Sequence, residues 1–237
     1  MIVVRILGGL GNQMFQYAYA KALQQKGFKV TLDLSKFRTY TLHGGYQLNH
    51  FKIDLEAARP ISSFLANIRL KKNRKENSLL FDKSLLTLSG NEFVKGYFQT
   101  EKYFSTIRDI LLKEFVIEKE LSQTTKNFAA TIESKASSCS LHIRRGDYVS
   151  DKKTNTVHGT CSLTYYKKAI DIVLEKHQDT HFFVFSDDIS WTRENLKIEN
   201  AIYIDHKTIP HEDLYLMSLC QHNITANSSF SWWGAWL

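Results

Sequence analysis

The chain has 237 residues, 43% of them hydrophobic and 23% charged, which is ordinary for a soluble globular protein and long enough for one large or two small domains. Its net charge of +7, from 31 Lys+Arg against 24 Asp+Glu, is too small an excess to diagnose nucleic-acid binding and suits an enzyme with an anionic substrate. The cysteines Cys139, Cys161 and Cys220 match neither zinc spacing nor a disulfide framework, no apolar stretch reaches the roughly 18 residues of a membrane span, and Met1 does not open a signal peptide, so a cytoplasmic protein is expected.

In chain order, residues 2–7 read as an apolar β-branched strand ending in Gly8-Gly9-Leu10-Gly11. Asn12 is a candidate cap for a helix over 13–26, stopped by Gly27, and 28–34 reads as a second strand. The middle of the chain carries weaker signals: a helix over 61–70, a strand over 91–98 and a helix over 101–115. From Ser138 the pattern sharpens. Strands are expected at 138–143, 181–186, 201–204 and 224–226, with helices at 163–177 and 212–220. Strands alternating with helices predict an α/β fold with largely parallel sheets. The loops 8–12, 144–147, 187–188 and 227–230 each follow a strand, where parallel sheets collect their ligands.

Each loop suggests a chemistry. Gly9 and Gly11 permit close backbone approach and positive φ, and the helix start behind Asn12 and Gln13 offers free N–H groups; a tight turn between strand and helix explains the same residues. A G-x-G-x-x-G fingerprint beginning at Gly9 would need glycine where Met14 stands, which counts against a nucleotide-cofactor oxidoreductase. In Leu141-His142-Ile143-Arg144-Arg145-Gly146-Asp147-Tyr148, guanidinium groups at a strand end can grip phosphate oxygens. Neighbours on an extended segment face opposite ways, so one arginine is expected to reach a ligand and the other to pair internally, with Asp147 available.

Asp187 and Asp188 could hold Mg²⁺ through a diphosphate, accept from a guanine edge or a ribose, or belong to a helix cap supplied by Ser186 or Asp187. The guanine reading without metal is preferred, because arginines already supply the positive charge a diphosphate needs. Asn227, Ser228, Ser229 and Phe230 open a tryptophan-rich helix whose first N–H groups suit a phosphate. The basic run Arg69, Lys71, Lys72, Arg74 and Lys75 reads as a solvated face, with an anionic membrane surface or an anionic glycan as the sharper alternative.

Taken together, Gly8-Gly9-Leu10-Gly11-Asn12-Gln13-Met14-Phe15-Gln16-Tyr17-Ala18 resembles the opening motif of family 11 glycosyltransferases, and His142-Ile143-Arg144-Arg145-Gly146-Asp147-Tyr148 is similar to the H-x-R-R-x-D motif of α-1,2-, α-1,6- and protein O-fucosyltransferases. Lys95-Gly96-Tyr97-Phe98-Gln99, Tyr165-Tyr166, Ser186-Asp187-Asp188 and 227–234 match that family in order. The resemblance implies a GT-B-like fold of two Rossmann-like halves facing a cleft, an acceptor half over 1–130 and a GDP-fucose half over 131–237. Family members usually run further past 231–234, so the second half is expected to be incomplete.

By the same resemblance, the chain is a bacterial α-1,2-fucosyltransferase acting in O-antigen biosynthesis, inverting and metal-independent. GDP-fucose is the donor and a galactose-containing oligosaccharide or lipid-linked glycan the acceptor. No nucleic acid is involved, and the enzyme sits in the cytoplasm or peripherally at the inner membrane face. Arg144 and Arg145 hold the diphosphate, with Asp147 as a candidate base. His142, Asp187 and Asp188 serve the guanosine, Asn227, Ser228, Ser229 and Phe230 the phosphates, and Gly9, Gly11, Asn12 and Gln13 the fucose or acceptor. The alternatives are a non-catalytic sugar-nucleotide-binding protein and, further off, the oxidoreductase.

Overall fold

The opening strand, helix and strand are β1 (Ile2–Arg5), α1 (Leu10–Gln25) and β2 (Val30–Asp33), paired in parallel from Ile2 opposite Val30 to Arg5 opposite Asp33. They begin a computed structural model that describes residues 1–40, 44–57, 72–145, 161–205 and 209–237. β3 (Lys72–Lys75) and β4 (Glu92–Lys95) complete a four-stranded sheet in the order β2-β1-β4-β3, parallel throughout. The helix expected over 101–115 is broken into 3₁₀ turns at Glu101–Tyr103 and Ser105–Ile107 before α2 (Arg108–Glu114). The helix expected over 61–70 and Asp147 lie outside the described residues.

α3 (Gln123–Glu133), β5 (Ser138–Ile143), α4 (Leu163–Lys176), β6 (His181–Ser186), α5 (Ile189–Asn195), β7 (Ala201–Tyr203), α6 (Pro210–Ser218), β8 (His222–Ile224) and α7 (Ser229–Trp236) follow. Their strands form a second parallel sheet in the order β7-β6-β5-β8. The chain divides into two compact units, Met1–Lys119 and Glu120–Leu237. A boundary at 130/131 would cut α3, which is tied to the second unit. Ser122 caps α3, and the Glu212 carboxylate in α6 accepts from the Ser122 N–H and hydroxyl, each at 2.8 Å, and from the Thr125 hydroxyl at 2.6 Å.

β6 is apolar along its length because both of its faces are covered. Phe182 and Val184 pack with Leu141, Tyr166 and Ile170, whereas Phe183 and Phe185 pack with Ile132, Leu216 and Met217. β8 is held beside β5 by its backbone ladder and by a side-chain hydrogen bond from the Ser140 hydroxyl to Asn223 Oδ1. The last strand is therefore 222–224 rather than 224–226. In each sheet one pair of neighbours is reached from opposite directions along the chain: β1 with β4, and β5 with the edge strand β8. The carboxyl ends of such pairs are the usual ligand crevices of parallel sheets.

Candidate functional site

The second unit gathers charge at its strand ends. Arg144 and Arg145 leave β5, and Asp187 leaves the adjacent β6. Arg144 Nη1 lies 3.1 Å from Asp187 Oδ2, while Asp187 Oδ1 accepts from the Arg145 backbone N–H at 2.8 Å. Asp187 thus fastens the start of the arginine loop to β6, with both of its oxygens engaged by neighbours in the chain.

Asp188 caps α5 by accepting from the Trp191 N–H at 3.1 Å, so the cap is neither Ser186 nor Asp187. Ser186 instead takes the Asp188 N–H at 3.0 Å. Asp188 Oδ2 also pairs at 3.6 Å with Arg145 Nε, too long for a hydrogen bond. The cap sets Trp191 against that same arginine, with its ring centroid 3.4 Å from the guanidinium carbon. Both arginines are therefore paired internally in this structure. Their side chains nonetheless keep 29% and 21% exposure, so each presents part of its guanidinium to the surface. Nothing in the loop's sequence marks Trp191. Only the fold brings it to Arg145.

On the other side of β5, His142 is buried and its ring meets that of Phe230 at 5.6 Å between centroids. Burial, with the Arg144 charge beside it, lowers its pKa to about 3, so the imidazole is neutral at physiological pH. Its Nδ1 has no hydrogen-bond partner among the described residues. Phe230 sits in the first turn of α7, where Ser228 is the cap and accepts from the Phe230 N–H at 3.3 Å. Asn227 is exposed just before that cap, and Ser229 is the first helical residue. Tyr165, from α4, donates to the Thr225 carbonyl at 2.7 Å and steadies the segment between β8 and α7. His142, Arg144, Arg145, Asp187, Asp188 and Phe230 thus come together around the ends of β5 and β6.

The glycine loop of the first unit is built differently from its sequence reading. The positive φ belongs to Gly8, at +85°, whereas Gly9 is the helix cap at −73° and Gly11 lies within α1. The helix begins at Leu10, so Asn12 is inside its first turn and does not cap it. Asn12 Oδ1 accepts from Gln99 Nε2 at 2.7 Å, joining the loop after β1 to the segment after β4. Gln13 is fully buried, and its amide donates to the carbonyls of Gly8 and Gly45 at 2.8 Å each while accepting from the Gln47 N–H at 2.9 Å. With both amide hydrogens committed to backbone, Gln13 braces the loop. Gln16, in the same motif, repeats the device by accepting from the Leu7 N–H at 2.9 Å and donating to the Gly96 carbonyl at 3.0 Å.

Among the described residues, no group of three or more His, Cys, Asp and Glu is placed to hold a metal ion. The whole sequence, residues 1–237, matches the family described as Glycosyl transferase family 11. The chain belongs to that glycosyltransferase family. Family membership removes the oxidoreductase alternative.

Two relatives from Escherichia coli share nearly the full length of the chain. It is 36% identical to an α-1,2-colitosyltransferase of Escherichia coli, over 100% of this chain and 87% of that protein. It is 30% identical to the O-antigen biosynthesis glycosyltransferase WbnK of the same organism, over 97% and 88%. In solved structures the fold resembles the fucosyltransferase NodZ from Bradyrhizobium at a TM-score of 0.61 and 12% identity, covering 98% of this chain and 91% of that one. A NodZ α-1,6-fucosyltransferase structure soaked with GDP-fucose superposes at 0.54 and 13% identity, over 98% and 90%. The α/β fold is GT-B-like, with a parallel sheet in each unit.

Proposed function

We propose that this family 11 glycosyltransferase moves L-fucose from GDP-fucose to the 2-hydroxyl of a galactoside within a glycan, inverting the anomeric carbon. The observation that carries the reading is the pair of partly exposed guanidinium groups at the end of β5, the strand whose His142 meets Phe230 in the first turn of α7. In the reaction the bond between fucose C1 and the β-phosphate oxygen breaks, and its electron pair leaves on GDP. The galactoside oxygen bonds to C1 from the opposite face and passes its proton to solvent, directly or through Asp147, the candidate base. Arg144 and Arg145 stabilise the charge that develops on the diphosphate, which preorganised cations do without reorganising as the bond breaks. The start of α7, where Ser228 caps the Phe230 N–H, turns the positive end of its helix dipole toward the same strand end.

Neutral His142 offers a hydrogen-bonding nitrogen to the nucleoside rather than a second positive charge. Asp187 and Asp188 act mainly through the arginines and Trp191, which differs from a direct role on guanine. Charge neutralisation by arginine removes the need for a divalent ion, so EDTA should leave turnover unchanged. Peripheral attachment at a membrane bearing a lipid-linked acceptor belongs to the same reading.

The relative named as a colitosyltransferase supports a second donor. Colitose is fucose without its 3-hydroxyl, so GDP-colitose presents the same diphosphate and nucleoside to the second unit. Mass spectrometry of reactions containing GDP-fucose or GDP-colitose with a panel of galactosides, followed by linkage analysis, decides between them. Transfer of neither sugar, with GDP still bound, would make the protein a sugar-nucleotide binder and overturn the proposal.

A further inference from the structure

The segment after β4 carries backbone strain that the transfer chemistry of the second unit does not use. Phe98 has φ of +53°, a left-handed conformation that is costly for a residue with a side chain, yet it is fully buried and stacked on Tyr19 at 3.9 Å. Glu76, 8% exposed, holds this turn. Its Oε2 accepts from the Tyr97 N–H at 2.7 Å and the Phe98 N–H at 3.1 Å, and its Oε1 has no hydrogen-bond partner among the described residues. The carboxylate fits there because residue 96 is glycine. A Cβ on Gly96 would come within 2.7 Å of Glu76 Cβ and 2.8 Å of Glu76 Oε2.

The strained turn has two outputs. Tyr97 is turned out to 39% exposure, and Gln99 is set against Asn12 across the ends of β1 and β4, the crevice of the first sheet. The exposed ring and, two residues on, the side-chain amide pair form a polar aromatic surface, with the cationic Arg5 and Lys95 at the same strand ends lying over Phe93. Its chemistry suits a pyranose, whose C–H face packs on the ring and whose hydroxyls exchange hydrogen bonds with amides.

We propose that Tyr97, Gln99 and Asn12 form the acceptor-sugar subsite, with Tyr97 as the stacking platform and Glu76 as the positioning residue that holds the turn. The assignment rests on the reading of the chain as a transferase to a galactoside, and it places acceptor recognition in residues of the first unit alone.

Steady-state kinetics with lactose and GDP-fucose tests it. Tyr97→Ala raises the acceptor KM by about tenfold, equivalent to about 1.4 kcal/mol, and leaves the donor KM within about twofold. Tyr97→Phe behaves as wild type. Glu76→Ala shifts the acceptor KM in the same direction, and Glu76→Gln, which keeps an oxygen able to accept from both N–H groups, restores it. Tyr97 is exposed, so its variants test the subsite even where Glu76→Ala fails to fold. An unchanged acceptor KM in Tyr97→Ala, or equal rises in both KM values, overturns the proposal. Saturation-transfer NMR with lactose in the presence of GDP separates this result from failure of the donor reading. Lactose signals that vanish in Tyr97→Ala but persist in Arg145→Ala support the subsite even if no fucose is transferred. No saturation transfer to lactose from the wild-type protein overturns it.

Discussion

The two units use the same place in a parallel sheet in opposite ways. In the first, side-chain amides do most of the bracing beyond β1 and β4, through Gln13, Gln16 and the Asn12–Gln99 pair, beside the Glu76 carboxylate on the turn after β4 and the Arg5–Asp33 ion pair at the end of β1. In the second, the loops beyond β5 and β6 are held by charge, with Arg144 and Arg145 against Asp187 and Asp188. A crevice of amides recognises hydroxyls, and a crevice of guanidinium groups recognises phosphate. Under the proposed function, one topology would serve the two ends of a glycosyl transfer by changing the side chains at its strand ends.

The largest effect expected from this contrast is on the charged side. Arg144→Ala or Arg145→Ala should lower turnover by roughly 10²–10³-fold, the scale for losing one preorganised donor to developing charge. Near-normal rates in both variants would dissolve the contrast. On the amide side, Gln13→Ala leaves buried carbonyl and N–H groups without partners, each costing roughly 1–3 kcal/mol. The loss should appear in the urea midpoint of unfolding, with GDP affinity retained in whatever protein remains folded. A variant of normal stability that has lost transfer would mean that Gln13 touches substrate.

A smaller change is expected at Trp191→Leu, which removes a cation–π contact worth about 0.5–2 kcal/mol. Calorimetry should show GDP binding weakened by several-fold with little loss of stability. Unaltered binding would reduce Trp191 to core packing.

A separate effect, read in stability rather than in turnover, is a pH dependence in the second unit. Asp213 is 5% exposed, and burial, then the Glu212 charge, raises its pKa from 3.8 to about 7. The folded chain thus holds this proton more tightly than the unfolded chain. The stabilisation is complete below about 3.8 and is lost as pH rises through about 7. Asp213→Asn should flatten the fall in Tm between these limits, whereas parallel curves for the variant and wild type would refute the assignment.

The sequence disclosed elements in proportion to how completely they are buried. β5 and β6 fall at 138–143 and 181–186 as read, because strands covered on both faces leave uninterrupted apolar runs. β3 was missed because Lys72-Asn73-Arg74-Lys75 is an edge strand with its side chains largely in solvent, and its basic composition read as a charged surface. α3 was missed because its sequence is polar and its tether, Glu212, lies far along the chain.

The candidate site divides the same way. Arg144, Arg145, Asp187 and Asp188 stood out as charges at strand ends. Their pairing did not, because it depends on β5 and β6 lying side by side. Trp191 and Glu76 act on residues distant in sequence, and no local pattern announces such a contact. The glycine loop misled in detail, since a run of neighbouring glycines does not reveal which one takes the left-handed conformation.

The hydrogen bond between Ser140 and Asn223 has a consequence for assembly. β8 contributes only three residues to its ladder, too few for backbone bonding alone to choose one alignment firmly. Sliding it by one position would separate these polar partners and turn Asn223 toward the opposite face. The same slip would carry the cap of α7 about 3.3 Å along the neighbouring strand, away from its place beside His142. A serine and an asparagine thereby act as a key that admits a single threading of the final strand, and the spacing between His142 and the cap of α7 is inherited from it.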